Sequence, residues 1–388
     1  MRTAVKGQKT HHTHHHGAAV DKIFAFLKKN AVLCIAIVAA LTTSIIVPPD
    51  KAYLGYFDLK TLTCLFCVLA VVCALRNIRF FTVLARKIVK LFKTTRASIL
   101  ALVYITFLGS MLIANDMALL TFLPLGYFVL SSTGKQKHMA FTFIMQNIAA
   151  NLGGMLTPFG NPQNLYLYTK FNIPTGQFVL TMLPPFCVSV ALITLCCFLF
   201  VKKEPLEITD EEVRLPALRT AVYGVLFALS IIIVFNVIPY WIGLIIITIA
   251  LLIMDRNALK KVDYGLLFTF VAFFIFAGNM ARIPAVQRLF ERLMSKSPLL
   301  VSTLSCQVIS NVPSAILLAQ FTESWQPLLV GVNIGGVGTL ISSLASLITF
   351  REYTSKAGGK AGTYVLLFSA FNFAFLGVLV ALEYFVFL

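Results

Sequence analysis

Residues 151–164 read NLGGMLTPFGNPQN, a stretch of glycine, proline and asparagine inside a chain that is otherwise largely apolar. Glycine and proline interrupt helices, because proline lacks a backbone donor and glycine has a low helix propensity. Within a membrane, the backbone groups freed by such a break need partners from protein or from a water-filled cavity. The stretch therefore predicts a broken transmembrane helix with a solute or ion site at mid-membrane depth.

The same pattern recurs in the second half of the chain. Residues 333–339 read NIGGVGT and share the pattern N-[LI]-G-G-x-x-T with residues 151–157. A matched asparagine precedes each copy, as Ile-Ala-Asn at 113–115 and as Ile-Ser-Asn at 309–311. Paired Gly- or Pro-interrupted segments in corresponding halves are typical of the binding site of a secondary transporter.

The composition is that of a polytopic membrane protein. Of the 388 residues, 59% are hydrophobic and only 12% are charged, whereas about a quarter of the residues of soluble domains are charged. The net charge of +17 does not indicate a nucleic-acid partner, because the basic residues cluster at the ends of apolar segments. No HExxH, GxSxG or phosphate-loop motif occurs, so we predict neither an enzyme nor a cofactor beyond a coupling ion.

The order of the segments predicts an all-α protein with two inverted repeats. We expect a polar N-terminal tail at 1–30 and a single transmembrane transporter domain at 31–388. Repeat 1 covers about 59–201, a charged linker covers 202–219, and repeat 2 covers about 264–388. Each repeat has a span, an amphipathic helix, a re-entrant hairpin, a broken crossing and a further span.

The hairpins are predicted at 97–130 and 298–321 and the broken crossings at 141–168 and 325–350. Both hairpin stretches are shorter than the roughly 40 residues that two full spans require. For 97–130, two short spans remain an alternative to a hairpin that turns near Asn115 and Asp116.

The basic residues orient these segments. With the N-terminus in the cytoplasm, 25 of the 32 Lys and Arg residues lie on the cytoplasmic side and the remaining seven lie outside. This asymmetry is the one that the positive-inside rule describes. Repeat 1 then begins in the inward direction and repeat 2 in the outward direction, which makes the repeats inverted. We expect a multi-pass protein of the plasma or inner membrane with a cytoplasmic N-terminus.

The chain resembles a superfamily of ion transporters. This superfamily includes dicarboxylate/sodium symporters, citrate transporters, arsenite efflux permeases and one type of sodium/proton antiporter. The resemblance covers roughly residues 55–388 and rests on AND at 114–116, NLGGMLTPFGNPQN at 151–164, SNVPSAILL at 310–318 and NIGGVGTLISSLASL at 333–347. It implies two hairpins, two broken helices and a homodimer in the lipid bilayer.

Both hairpin tips depart from the pattern of the carboxylate symporters, which resembles Ser-Asn-Thr. Here the tips are Ala114-Asn115-Asp116 and Ser310-Asn311-Val312, so hydroxyls expected to hold a carboxylate or sodium are missing. This departure weighs against a carboxylate substrate, and the Asn-Asp pair is similar to the arsenite-permease branch.

The candidate binding residues lie at the tips and in the breaks. Amide groups and hydroxyls can bind a substrate or sodium, and glycine lets backbone approach a solute. Each type also has a structural reading, such as a turn asparagine, close helix packing at glycine, or a hydroxyl bonded to a helix carbonyl. The predicted substrate- and ion-binding residues are Asn115, Asp116, Asn151, Gly153, Gly154, Thr157, Gly160, Asn161, Gln163, Asn164, Ser310, Asn311, Asn333, Gly335, Gly336, Thr339, Ser342 and Ser343.

Asp116 is the most specific of these candidates, because a carboxylate inside a membrane is costly and indicates function. The alternative is a helix cap. Sodium is predicted at Asn115, Asp116 and Asn311.

These observations predict a secondary active transporter of a small anion, a carboxylate or an inorganic oxyanion. Transport would be coupled to Na+ or H+ and would proceed by alternating access around a midplane site. A sodium/proton antiporter with Asp116 as the cation site is the first alternative, and an arsenite/antimonite efflux permease is the second. The inverted pair of broken helices favours a carrier over a channel.

Overall fold

The computed structural model describes residues 30–206, 215–356 and 361–387. These residues form helices joined by short turns and contain no β-strand, only an isolated bridge between Thr94 and Pro205. Nearly all of the predicted tail at 1–30 lies outside the described residues, as does the acidic part of the predicted linker at 207–214.

The first half of the chain carries the first of each predicted pair of elements. Its helices are α1 (Ala31–Ile46), α2 (Leu59–Asn77), α3 (Phe80–Lys90), α4 (Thr95–Ile113), α5 (Asn115–Ser132), α6 (Met139–Gly153), α7 (Pro162–Lys170) and α8 (Thr175–Phe200). Short 3-10 turns lie at Lys51–Tyr56, Gln136–His138 and Gly154–Leu156.

The second half of the chain begins with two helices that lie before the predicted repeat 2 and then carries the second of each predicted pair of elements. Its helices are α9 (Ala217–Val234), α10 (Tyr240–Met254), α11 (Arg256–Lys260), α12 (Tyr264–Ala281), α13 (Pro284–Lys296), α14 (Pro298–Ile309), α15 (Asn311–Leu318), α16 (Trp325–Ile334), α17 (Leu344–Lys356) and α18 (Ala361–Leu382). A π-helical turn at Glu383–Phe387 extends α18.

Polar residues set where several helices begin. The side chains of Asp58, Asp263 and Ser297 accept hydrogen bonds from backbone N–H groups in the first turns of α2, α12 and α14. Such caps satisfy N–H groups that have no partner within the helix. Within the described residues, six helices are long and apolar enough to cross a membrane: α2, α4, α8, α9, α12 and α18 with its extension. The prediction of an all-α polytopic membrane protein is confirmed.

Both predicted hairpins form, and both turn on a residue with positive φ. Ala114 separates α4 from α5 with φ 62° and ψ 152°, and Ser310 separates α14 from α15 with φ 75° and ψ 161°. The arms fold back on each other, since Gly109 packs against Phe122 and the hydroxyls of Ser305 and Ser314 lie 2.8 Å apart.

The two hairpins differ in length. The arms of the first have 19 and 18 residues, and those of the second have 12 and 8. The first hairpin is therefore longer than predicted, because helix continues to Thr95 and Ser132, beyond the predicted bounds of 97–130. By length alone, α4 can span a membrane.

Both predicted crossings are broken where the motifs lie. Helix α6 ends at Gly153, and α7 begins at Pro162, a residue whose missing N–H is harmless at the start of a helix. Helix α16 ends at Ile334, and α17 begins at Leu344. The residues between are irregular or form single turns.

Ion pairs and hydrogen bonds between distant segments bring the ends of the helices together in two groups. In one group, Lys135 and Lys137 form ion pairs with Glu204 at 2.6 and 2.9 Å. In the other group, Arg282 pairs with Asp50 at 2.7 Å. Helices α6 and α7 together lead from Lys135 in the first group to Lys170, whose Nζ donates to Gln320 at the end of the second hairpin at 3.2 Å.

Candidate functional site: a buried amide cluster

The two broken crossings meet through side-chain amides. Nδ2 of Asn333 donates to Oδ1 of Asn164 at 2.6 Å. Oδ1 of Asn333 accepts from Asn161 at 3.3 Å and from Gln163 at 3.4 Å. All four side chains are at most 1% exposed. Because Asn333 belongs to the second break and the other three follow the first, this amide cluster joins the two halves of the chain.

The first break is closed by its own asparagine. Nδ2 of Asn164 lies 3.1, 3.3 and 3.2 Å from the carbonyl oxygens of Gly154, Met155 and Thr157. These carbonyls have lost their helical partners at the end of α6, and a buried carbonyl without a partner is costly. Asn164 therefore stabilises the break and, through its Oδ1, connects it to Asn333.

The second break is closed by a residue that the sequence analysis missed. Gln307, on α14, donates to the carbonyls of Gly335 and Val337 at 2.9 and 3.2 Å. Its Oε1 accepts from the backbone N–H of Thr339 at 2.9 Å. The only signal for Gln307 was a polar amide in an apolar arm, three residues before the tip at Ser310.

The hairpin tips reach the breaks through asparagine. Nδ2 of Asn115 donates to Oδ1 of Asn151 at 3.2 Å. The backbone N–H of Asn311 donates to the carbonyl of Ser342 at 2.9 Å, and the hydroxyl of Ser310 donates to the same carbonyl at 3.2 Å. In both tips, the side-chain oxygen of the asparagine accepts from the next backbone N–H at 2.9 Å. The matched sequences therefore adopt matched local structure.

Three of the predicted glycines lie against side chains or backbone of the breaks and tips. A Cβ added to Gly336 would lie 3.3 Å from Nδ2 of Asn311 and 3.4 Å from Oδ1 of Asn151. A Cβ on Gly154 would overlap the side chain of Asn161, and one on Gly160 would overlap the carbonyl of Gly154. These glycines allow the loops to approach side chains of the site.

The other two predicted glycines fit the packing alternative. Gly153 lies against the backbone of Phe107 on α4, and Gly335 lies against Cys306 on α14. Each therefore lets a broken helix pack closely on the neighbouring hairpin arm.

The predicted hydroxyls are held by the protein itself. Thr157 donates to the carbonyl of Met111 at 2.7 Å, and Thr339 donates to that of Gln307 at 3.1 Å. Ser342 donates to the carbonyl of Gly336 at 2.9 Å, and the hydroxyls of Ser343 and Ser346 lie 3.0 Å apart. These bonds fit the structural alternative for the hydroxyls, and their predicted role in binding remains a prediction.

Asp116 is the first acidic residue of α5, directly after the tip. It does not cap the helix, since residue 114 is the N-cap and no side chain caps α5. Its Oδ1 is inaccessible to solvent and has no hydrogen-bond partner among the described residues. A carboxylate oxygen in this state is available to a cation or a proton.

Two oxygens of the amide cluster share this property. Because Asn161 and Gln163 both direct their NH2 groups at Asn333, their side-chain oxygens point elsewhere, and within the described ranges these oxygens have no partner. Such oxygens are ligands for hard cations. No group of three or more His, Cys, Asp and Glu side chains occurs in the described part of the chain. A cation here would therefore depend on amide and backbone oxygens.

A second set of amides extends the site and was also missed from the sequence. Nδ2 of Asn151 donates to the carbonyl of Asn147 at 3.1 Å. The side chain of Asn147 meets Asn372 of α18 at 3.5 Å and Thr349 of α17 at 3.4 Å. Asn147 and Asn372 lie in the interiors of regular helices, away from any glycine or proline, so no local signal marked them.

Most of this chain is similar in sequence to known proteins. The model of the citrate transporter family matches residues 22–330. The chain is 32% identical over 324 residues to an uncharacterised transporter of Methanocaldococcus jannaschii, a match that covers 83% of this chain and 88% of that protein. It is 30% identical over 278 residues to the inner membrane protein YbiR of Escherichia coli, with 70% of this chain and 74% of that protein covered.

Proposed function

Because the chain belongs to the citrate transporter family, we propose that it is a secondary transporter that carries a small anion together with Na+ or H+. The substrate is a carboxylate or an inorganic oxyanion. The predicted resemblance to the ion transporter superfamily is confirmed by this membership. The substrate, the coupling ion and the alternating-access cycle are parts of the proposal.

The observation that carries the proposal is the amide cluster between the two breaks. Asn333 is bonded to Asn164 of the other half at 2.6 Å, inside a chain of apolar helices. Broken helices from two halves that meet at one buried polar site are the arrangement in which secondary transporters hold cargo. A movement of one half against the other would separate these bonds and open the site.

The helices that begin at the site favour an anion. Helix α7 starts immediately after Asn161, and α17 starts immediately after Ser343. The first N–H groups of a helix lack internal partners, and the helix dipole places positive charge there. A carboxylate or oxyanion at either end would lie in this positive potential, although Pro162 itself, the first residue of α7, has no N–H to donate.

The unpartnered oxygens support a coupling cation. Oδ1 of Asn161 and Oε1 of Gln163 are buried acceptors without donors in the described residues. A bound Na+ would supply what these oxygens lack, and its charge would also attract the anion. The predicted sodium ligands are Asn115, Asp116 and Asn311. Oδ1 of Asn115 accepts from the N–H of Asp116 and keeps a second lone pair, whereas Oδ1 of Asn311 accepts from both Val312 and Ser310.

The grouping of helix ends supports inverted repeats. The first hairpin ends at the side of Lys135 and Glu204, and the second ends at Gln320, beside Lys170. Since α6 and α7 lead from Lys135 to Lys170, the two hairpins open toward opposite ends. We further propose that the end with Glu204 faces the cytoplasm of a plasma or inner membrane, and that the protein forms the homodimer implied by the resemblance.

A sodium/proton antiporter is the second candidate, and one observation favours it. Asp116 has an inaccessible, unpartnered carboxylate oxygen beside the tip of the first hairpin. A single buried carboxylate that binds either Na+ or H+ suffices for exchange of the two ions.

The test is uptake into proteoliposomes driven by a Na+ gradient or a proton gradient, with radiolabelled citrate as the carboxylate probe and arsenate as the oxyanion probe. Asn333→Ala removes an NH2 group that donates to Asn164 and to the carbonyl of Leu329. It also removes the oxygen that accepts from Asn161 and Gln163. We expect uptake to fall by roughly 10- to 100-fold, the equivalent of an unsatisfied buried polar group. Asn279→Ala is the matched control, because Asn279 is equally buried but bonds to Thr43 and Ser44 between α1 and α12.

Equal loss of uptake in both variants would assign Asn333 a structural role only. Absence of citrate and arsenate uptake in the wild type under both gradients would contradict the anion proposal. In that case, Na+ added outside the vesicles should make the lumen alkaline if Na+ enters in exchange for H+. Loss of this alkalinisation in Asp116→Asn would establish the antiporter.

A further inference from the structure

Away from the amide cluster, a cavity of about 240 Å³ opens where the end of α2 meets α3 and α5. Its polar wall contains Arg76, Arg79 and Arg86, and its apolar wall comes mainly from α5. The residues that line it are Arg76, Arg79, Phe81, Thr82, Arg86, Leu120, Thr121, Pro124 and Leu125. Its volume fits a small polyatomic anion.

Two of the arginines in this cavity, Arg76 and Arg79, have no acidic partner in the part of the chain that the structure describes. Among the described residues, three guanidinium groups and no carboxylate line the cavity. Arg76 directs Nη1 at the sulfur of Met117 at 3.3 Å, a weak acceptor. Like charges that share one cavity repel each other, and a bound anion removes that repulsion.

The backbone adds to the positive potential. Arg79 has φ 58° and ψ 26°, a left-handed conformation that is unfavourable for a side chain of this kind. This conformation places Arg79 directly before the 11-residue helix α3, whose first-turn residues Phe81 and Thr82 line the cavity. The free N–H groups of that turn therefore lie beside the guanidinium groups.

The cavity lies along the approach to the tip of the first hairpin. Leu120 and Pro124 of its wall follow Asp116 by four and eight residues on α5, so all three share one helix face. Arg76 contacts Met117, the residue next to Asp116. In the orientation proposed from the distribution of basic residues, this end of the molecule lies in the cytoplasm.

We propose that Arg76, Arg79 and Arg86 form a cytoplasmic vestibule that binds the transported oxyanion before or after it passes the first hairpin. The inference rests on the proposed function and extends it by naming a second, electropositive binding site outside the amide cluster. The vestibule accepts polyvalent carboxylates and oxyanions and repels cations. An anionic phospholipid carries the same phosphate chemistry, so the test separates it from a free anion.

The test measures citrate binding by calorimetry on the full-length protein in a neutral detergent at low and high salt. The double variant Arg76→Gln/Arg79→Gln should weaken citrate binding about tenfold at low salt and abolish most of the salt dependence. Arg79→Lys, which keeps the charge, should retain most of the affinity. Arg288→Gln is the matched control, since Arg288 is exposed on α13, the second amphipathic helix.

The Asn333→Ala variant separates this inference from the proposed function. It should lose transport and keep the salt-dependent citrate binding of the vestibule. Citrate binding that is equal in Arg76→Gln/Arg79→Gln and Arg288→Gln would overturn the vestibule. A higher melting temperature of the wild type in nanodiscs that contain phosphatidylglycerol, together with no detectable citrate binding, would assign the cavity to lipid. That result would also overturn the vestibule. A wild type that binds citrate at the vestibule but transports neither citrate nor arsenate would contradict the proposed function alone.

Discussion

At the scale of single residues, the site depends on carboxamides. An amide donates and accepts at the same time, so one side chain can join two loops without placing a charge in the membrane. Asn164 does so by bonding three carbonyls of its own loop and accepting from Asn333. The same chemistry suits the proposed site, because an amide can meet an anion with its N–H groups and a cation with its oxygen.

A residue-scale prediction concerns the space around Gly160. In Gly160→Ala, the new Cβ would overlap the carbonyl of Gly154 and lie 2.5 Å from the hydroxyl of Thr157. Because the contact is with buried backbone, the loop must shift, and we expect a loss of about 1–3 kcal/mol of unfolding free energy. Thermal unfolding in detergent measures it, and transport of citrate should fall in parallel.

Gly224→Ala provides the comparison, since Gly224 is exposed on α9 and nothing lies within 4 Å of an added Cβ. A Gly160→Ala protein as stable as Gly224→Ala would show that the first break is less tightly packed than described.

At the scale of elements, the two hairpins share an unusual tip. Ala114 and Ser310 both combine positive φ with ψ near 150–160°, a region that residues other than glycine seldom occupy. Strain of this kind persists only where surrounding contacts fix the backbone. The asparagine after each tip provides such contacts, through Asn151 in one case and Ser342 in the other.

The tip geometry predicts opposite effects for the same substitution at two nearby alanines. Ala114→Gly relieves strain of about 1–3 kcal/mol, partly offset by the greater freedom of glycine in the unfolded chain, so the melting temperature should rise. Ala118→Gly, in the interior of α5 and fully buried, should lose about 1 kcal/mol. Equal destabilisation of both variants would mean that residue 114 is unstrained.

At the scale of the whole molecule, one acidic residue ties together segments that are far apart in sequence. Glu204, after α8, pairs with Lys135 and Lys137, which precede α6. Its carbonyl also accepts from the N–H of Thr95 at 2.8 Å, at the start of the first hairpin. The contacts hold the ends of these elements at one side of the molecule.

This arrangement predicts a dependence of stability on pH. Hydrogen bonds from Lys135 and then Lys137 lower the pKa of Glu204 from 4.5 to about 2. A lowered pKa means that the ion pairs stabilise the fold above pH 4.5 and that this contribution disappears as the pH falls toward 2. Glu204→Gln should therefore melt slightly lower than the wild type at pH 7, and the difference should vanish near pH 2.

The effect should be modest and should decrease at high salt, because the carboxylate is partly exposed. Glu323→Gln, an exposed glutamate beside the second hairpin, should leave the melting temperature unchanged throughout. If the difference in melting temperature between the wild type and Glu204→Gln grew as the pH fell, the lowered pKa of Glu204 would be contradicted.

Much of the element order was predictable, because it depends on local chemistry. Glycine and proline in apolar segments indicated both broken crossings, and α6 and α16 end at those motifs. The bounds of the first hairpin were less predictable, since helix α4 starts at Thr95, two residues before the predicted bound, and is long and apolar enough to span. The apolar residues of a hairpin helix and its polar cap are local features of the sequence. The position of that helix relative to the membrane surface depends on the helices packed around it.

The sequence by itself determined that this chain spans a membrane, where its helices break and which asparagines mark the hairpin tips, because each follows from backbone and side-chain chemistry over a few residues. Only the tertiary structure decided which groups meet. Asn333 and Asn164 are 169 residues apart, Gln307 closes a break on another helix, and Arg76 and Arg86 share a cavity with α5. Such partnerships depend on how whole helices pack, and no local pattern specifies them.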